Sequence, residues 1–172
     1  MIKPVLEPGC VICEIGVQRG WHFRRMLRVN PSLAVAVDPW DASYRGNVRG
    51  DTQEKQEEYY EEFKTAMNDK PFVNIIRGYS WDVVKEFDDG FFDWVYIDGD
   101  HRYEAVKRDI NDWYPKVKKG GYLTGHDYSK CTLRTGEGPV PFGVIEAVDE
   151  FVKEHEIKTF FQHPRSVWGL MK

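Results

Sequence analysis

The stretch that most restricts the fold runs from Phe91 to Ser129 and reads FFDWVYIDGDHRYEAVKRDINDWYPKVKKGGYLTGHDYS. Phe92, Trp94, Val95, Tyr96 and Ile97 make an apolar run too short for a helix and rich in β-formers, which predicts a buried strand. The run stops at the polar cluster Asp98-Gly99-Asp100-His101. Tyr103, Val106, Ile110, Trp113 or Tyr114, and Val117 then recur at spacings of three and four, the apolar stripe of a helix. Lys118, Lys119 and Gly120-Gly121 are expected to close that helix, because cations suit its carboxyl end and glycine accepts the left-handed cap. A second strand is expected from Tyr122 to Gly125, ending in His126-Asp127. Strand, helix, strand is a βαβ unit, whose two strands run parallel and end on one edge of the sheet. Open α/β sheets bind ligands at that edge. Asp98, Asp100, His101, His126 and Asp127 should therefore converge from positions nearly thirty residues apart. A solvated rim would account for any one of them, whereas the constellation favours a site.

The chain before this unit repeats the pattern. Val11 to Ile15 predicts a buried strand that runs into Glu14-Ile15-Gly16-Val17-Gln18-Arg19-Gly20, followed by a helix from Trp21 to Val29 stopped at Asn30-Pro31. Leu33 to Val37 predicts the next strand, ending at Asp38-Pro39-Trp40. Gly16 and Gly20 are expected to let backbone approach a ligand. Asp38 follows Gly20 by eighteen residues, a spacing at which a carboxylate can accept hydrogen bonds from a ribose diol. The pattern is E-x-G-x-x-x-G and not G-x-G-x-x-G, so pyrophosphate is not the expected ligand. Taken alone, two glycines also fit a plain strand–helix turn.

Asp41 to Asp51 reads as a turn-rich flap, and Asp51-Thr52 as the cap of a helix reaching Asn68, with Tyr59, Phe63 and Ala66 or Met67 inward. The run EKQEEYYEE reads as its solvated face. Val73 to Ile76 predicts a third strand, and Gly78-Tyr79-Ser80 leads into a short helix that Ser80 is expected to cap, an adenine contact being its other candidate role. Tyr128 to Phe142 reads as a long, substrate-facing loop. A helix is expected from Gly143 to His155, then a hairpin of Thr159–His163 and Ser166–Met171 split by Pro164-Arg165.

With 172 residues, 41% of them hydrophobic, the chain suits one globular domain. A net charge of −4 argues against a dedicated nucleic-acid binder. No apolar run reaches the length of a membrane span and MIKPVLEPG lacks a leader's apolar core, so a soluble, cytoplasmic protein is expected. Cys10 and Cys13 form a C-x-x-C within a strand, where side chains three apart point to opposite faces. That arrangement fits two buried small residues and not a redox or zinc pair.

The pattern as a whole is α/β: a Rossmann-like open, mostly parallel sheet with helices on both faces and a C-terminal antiparallel hairpin. With E-x-G-x-x-x-G after the first strand and an acid after the second, the chain resembles the class I S-adenosylmethionine-dependent methyltransferases. The pair IDGDH and GGYLTGHDY is similar to the small macrocin-type sugar O-methyltransferases, and the resemblance covers nearly the whole of 1–172 as a single domain. It implies Glu14, Gly16 and Gly20 at the methionine end of the cofactor, Asp38 on the ribose with Trp40 beside it, and Gly78, Tyr79 and Ser80 by the adenine. Asp98 is implied both as a cofactor contact and, with His126 and Asp127, as a ligand of a divalent metal. His101 is implied as the catalytic base, with Asp100 as its rival. An acid is more usual where His126 stands, and imidazole suits hard cations less than carboxylate, which leaves Mg²⁺, Mn²⁺ or no metal open. The implied acceptor is a small-molecule hydroxyl, on a sugar or a phenol. Neither a membrane nor a nucleic acid is an expected partner, and a homo-oligomer is left open.

The chemistry points the same way. Methyl transfer needs nucleophile and methyl held in line, and a base or metal that eases deprotonation of the hydroxyl. Two other readings remain. A non-haem iron oxygenase could use His101, His126 and one carboxylate as a facial triad, and a requirement for 2-oxoglutarate would reveal it. A non-catalytic nucleotide-binding module would bind a nucleoside without turnover.

Overall fold

The computed structural model describes residues 6–44, 51–135, 138–163 and 166–172. Its main sheet contains β1 (Val11–Ile15), β2 (Leu33–Asp38), β3 (Val73–Arg77), β4 (Phe92–Ile97), β5 (Val117–Gly125), β8 (Phe160–His163) and β9 (Val167–Met171), in the order β3-β2-β1-β4-β5-β9-β8. The first five pair in parallel, while β9 runs antiparallel to both β5 and β8. This is the open Rossmann-like sheet with a C-terminal antiparallel hairpin that the sequence pattern predicts.

The alternation of side chains along each strand feeds two separate cores. On one face Cys13, Ile15, Val35, Val37, Val95 and Ile97 pack with Val106, Ile110 and Trp113 of α4 (Tyr103–Trp113) and Val148 and Phe151 of α5 (Val144–Glu154). On the other, Ile12, Ala34, Ala36, Trp94 and Tyr96 meet Phe23 and Met26 of α1 (Phe23–Met26) and Phe63 and Met67 of α2 (Gln53–Met67). Cys10 and Cys13 fall in opposite cores, as their spacing requires. A short helix, α3 (Ser80–Val83), follows β3.

Several boundaries depart from expectation, each for a local reason. The helix expected over Trp21–Val29 is only α1 followed by a 3₁₀ turn at Leu27–Val29, closed by Asn30 in the left-handed region. Helix α4 stops at Trp113 because Pro115, just beyond, has no amide hydrogen to donate. Val117 therefore opens β5 and is not the last residue of the helical stripe. The Lys118–Gly121 stretch is part of the strand: its register slips between Phe92↔Val117 and Trp94↔Tyr122, with Gly120 at φ +80°. The segment expected as a loop from Tyr128 to Phe142 contains a second hairpin, β6 (Thr132–Thr135) with β7 (Gly138–Pro141). Thr52 caps α2 as expected, its hydroxyl accepting from Lys55 N at 3.3 Å. Positions 45–50 of the expected flap and the Pro164-Arg165 turn lie outside the described residues. No described helix is long and apolar enough to cross a membrane.

Register sets up the site. Ile15 lies beside Ile97, and Ile97 beside Gly125. The residues that leave the sheet at its carboxyl edge, Gly16, Asp98 and His126, are consequently level. Each is pinned by a backbone bond to a neighbouring strand: Gly16 N to Val37 O (2.9 Å), Asp98 N to Ile15 O (2.8 Å) and His126 N to Ile97 O (3.1 Å).

Candidate active site

Two polar assemblies occupy the carboxyl edge of the sheet. The first is a crevice beyond β1, β2 and β3, lined among others by Gly16, Asp38, Gly78, Tyr79, Ser80 and Asp100. Asp38 organises it. Its Oδ2 accepts from Gln18 N at 2.8 Å and its Oδ1 from Trp40 N at 2.7 Å. Gln18 and Trp40 both have positive φ, +48° and +45°, a conformation unfavourable for residues other than glycine, and the two charged hydrogen bonds offset that cost. Trp40 Nε1 donates to Gln18 O at 2.9 Å, closing the link between the loops after β1 and β2. Tyr44, Tyr79 and Trp81 form an aromatic wall, Tyr79 stacking on Trp81 at 4.5 Å while its hydroxyl donates to Asp41 at 2.5 Å.

At the end of the crevice lies Asp109, a residue without an expected role. It sits on the core stripe of α4, three residues after Val106 and four before Trp113, and is 2% exposed. Ser80 Oγ donates to its Oδ1 at 2.5 Å. Burial lifts this carboxyl to about 7, against the lowering effect of the Ser80 bond and of Arg108. Ser80 is thus not the side-chain cap of α3: the cap position belongs to Tyr79, whose side chain makes no capping bond. An acid on an otherwise apolar stripe was the available signal for Asp109.

The second assembly sits beyond β4 and β5. Asp98, His101 and Asp127 each offer one ligand atom, all within 4.8 Å of one another. His101 Nε2 lies 3.1 Å from Asp127 Oδ2, and His126 Nδ1 lies 3.1 Å from Asp127 Oδ1, so Asp127 stands between two imidazoles. The positive φ of Asp127, +56°, turns its side chain there. Burial works to raise the Asp127 carboxyl, but the hydrogen bond from His126 and the charge of both histidines hold it below the ordinary range. The same bond raises His126. Burial, with Glu14 and Asp127 nearby, lifts Asp98 to about 7, opposed by His126.

Glu14, also from β1, is 1% exposed, and its Oε1 lies 3.3 Å from Nδ1 of His22, which stacks on Tyr96 at 3.8 Å. Its Oε2 is buried without a hydrogen-bond partner. Burial and the charge of Asp38 push the Glu14 carboxyl well up, and burial lowers His22 to about 4, so the surroundings disfavour charge on both. A cation arriving at Oε2 would reverse that balance and favour the carboxylate.

Other expected site residues are placed differently. A Cβ on Gly16 (φ +85°) would overlap the carbonyl of Asp98, so this glycine serves the close approach of β1 to the β4 end as well as lining the crevice. A Cβ on Gly20 (φ +71°) would overlap the Phe63 ring, so the missing side chain of Gly20 seats α2. Trp40 is fully buried against Tyr60 and Phe63 and braces the crevice from behind. His126 is not in the three-residue donor cluster, where His101 takes its place. Asp100 accepts from Arg102 N (3.0 Å) and Nε (2.7 Å) and also pairs with Arg102 Nη2, which commits it to that guanidinium and away from the His101–Asp127 couple.

Residues 13–128 match a family model described as a methyltransferase domain. Among curated proteins, a 61-residue stretch is 39% identical to an uncharacterised protein of Acanthamoeba polyphaga mimivirus, covering 33% of this chain and 27% of that one. Among solved structures, a protein from Corynebacterium glutamicum aligns with a TM-score of 0.66 at 16% identity over 95% of this chain and 73% of its own. The O-methyltransferase NovP aligns at 0.63 with 20% identity over 96% and 72%. Fibrillarin from Aeropyrum pernix, solved with natively bound S-adenosyl-L-methionine, aligns at 0.63 with 14% identity over 99% and 69%. At these identities the structural likenesses speak for the fold alone.

Proposed function

The chain belongs to the methyltransferase-domain family, and from that premise we propose that it is an S-adenosylmethionine-dependent methyltransferase acting on the hydroxyl of a small molecule, a sugar or a phenol. One observation carries the reading: the unpartnered, buried Oε2 of Glu14 and the His101–Asp127 couple leave the same sheet edge on either side of Asp98. The donor set fits the cofactor. Glu14 Oε2 suits its ammonium group, and the Asp38 crevice suits its nucleoside. When bound, the cofactor would supply a methyl group already activated on a sulfonium.

The chain's own residues would then do two things. The Gly16–Gln18 loop and Asp38 hold the nucleoside in one orientation, which lowers the entropy lost at the transition state. Asp127 orients the His101 ring and stabilises its charged form, so that His101 can take the acceptor's hydroxyl proton. The O-methyl assignment draws on the resemblance of the IDGDH and GGYLTGHDY motifs to the sugar O-methyltransferases.

A second reading rests on the donor cluster. Asp98, His101 and Asp127 could hold Mg²⁺ or Mn²⁺, which would lower the pKa of the acceptor hydroxyl by direct ligation. Incubation with methyl-labelled cofactor and a panel of sugar, phenol and nucleotide hydroxyls tests the activity, and exhaustive chelation separates the readings. Turnover that survives chelation keeps His101 as the base. Turnover that is lost and returns only with added Mg²⁺ or Mn²⁺ makes it a ligand. Absence of label transfer together with tight cofactor binding would leave a nucleoside-binding module.

A further inference from the structure

We propose that Asp109, bridged to Ser80, reads the amino edge of the adenine and so selects an adenine nucleoside; this rests on the cofactor reading above. The acid is 2% exposed on the apolar stripe of α4, where a leucine would pack without desolvation cost. It nevertheless forms part of the wall of the crevice that Gly78, Tyr79, Ser80 and Gly99 also line. Gly99 lies beside it: a Cβ there would stand 3.7 Å from Asp109 Oδ2, an ordinary contact distance. Ser80 Oγ engages Oδ1 at 2.5 Å, which directs the carboxyl plane and leaves Oδ2 on the Gly99 side.

The nearby cations make their hydrogen bonds to other groups, although the charge of Arg108 reaches Asp109. The Arg108 guanidinium lies 4.0 Å over the Trp81 ring and donates to Tyr44 Oη at 3.2 Å, and Arg102 is taken by Asp100. An acceptor oxygen fixed in the wall of a nucleoside crevice matches a neutral N–H donor. The exocyclic amino group of adenine is such a donor, and the carbonyl of hypoxanthine at the same position is an acceptor. A hydrogen bond that one base makes and the other turns into a lone-pair clash gives strong discrimination. Burial raises the Asp109 carboxyl to about 7, so the acceptor-only form that cannot offer a proton to a carbonyl prevails only above that pH, and discrimination is read there.

The rival is a plain brace, in which Asp109 and Ser80 only hold α4 to α3. Calorimetric titration of S-adenosylhomocysteine and S-inosylhomocysteine at about pH 8.5 separates the two. The wild type should prefer the adenine compound by about tenfold or more, and Asp109→Asn should bring the ratio within about threefold of unity, since an amide can donate to the carbonyl. The double variant Ser80→Ala/Asp109→Leu removes both hydrogen-bond partners at little cost in stability and should lose the preference too, which covers the case in which Asp109→Asn does not fold. A brace would weaken both ligands equally and leave the ratio intact. A wild-type ratio near unity, or a preference that survives in the folded variants, overturns the inference while the cofactor reading stands. A wild type that binds neither nucleoside overturns the cofactor reading, and this inference with it.

Discussion

The two ends of the site are built from the same residue types on opposite plans. In the crevice, acids are oriented by fixed donors: Asp38 by two backbone amides and Asp109, at one oxygen, by a serine hydroxyl. Beyond β4 and β5, acids face imidazoles and one another: Asp127 lies between His101 and His126, with Asp98 alongside. The first plan gives geometry that cannot easily change, as ligand orientation demands. The second leaves groups whose charge responds to each other, as proton transfer demands. Acids alone therefore do not mark the chemistry. Their partners do.

Breaking the reactive end should have the largest effect. His101→Ala is expected to lower kcat by about 10²–10⁴ while cofactor affinity stays within about twofold, read by steady-state kinetics and calorimetry. Near-normal kcat would move the proton to another group, and a matching loss in Asp100→Asn would overrule its commitment to Arg102.

The next effect is one of stability and tests the crevice end. Asp109 titrates near 7 in the folded chain, against about 3.9 unfolded, so between those pH values the folded state holds the extra proton. Stability from this acid is full at low pH and is lost as pH rises from about 4 to about 7, by about 1.4 kcal/mol per pH unit. Asp109→Asn should remove that slope in urea melts taken across the range. Parallel curves for variant and wild type would mean that burial does not perturb the acid.

Asp38→Ala should weaken S-adenosylhomocysteine by roughly 1–3 kcal/mol and also lower stability, because the amides of Gln18 and Trp40 lose their acceptor. Loss of affinity without loss of stability would show that the carboxylate serves the ligand alone. The smallest effect concerns Gly20, expected from sequence to meet the ligand. Gly20→Ala should cost about 1–3 kcal/mol of stability by pressing on Phe63, with affinity in the surviving folded protein nearly unchanged. A selective loss of affinity would restore Gly20 to the ligand.

Periodicity determined most of the architecture. Runs of alternating and three-four-spaced apolar residues suffice for the parallel strands, for α4 and α5 and for the C-terminal hairpin, because a strand or helix must present one regular face to a core. The same logic brought Asp98, His101, His126 and Asp127 to one edge, since parallel strands end together. Periodicity is silent on partners across long separations. Val117 satisfied both a helical stripe and a strand, and Pro115 with the pairing to Phe92 decided for the strand. Gly20 became a seat for Phe63, Trp40 a buried brace and Ser80 a donor to Asp109 only once helices had packed. His101 paired with Asp127, and Asp100 with Arg102, because register and one left-handed residue aimed those side chains. Which face a residue takes is a local property of chain spacing, whereas what it touches is set by close packing between elements, and that exists only in the folded molecule.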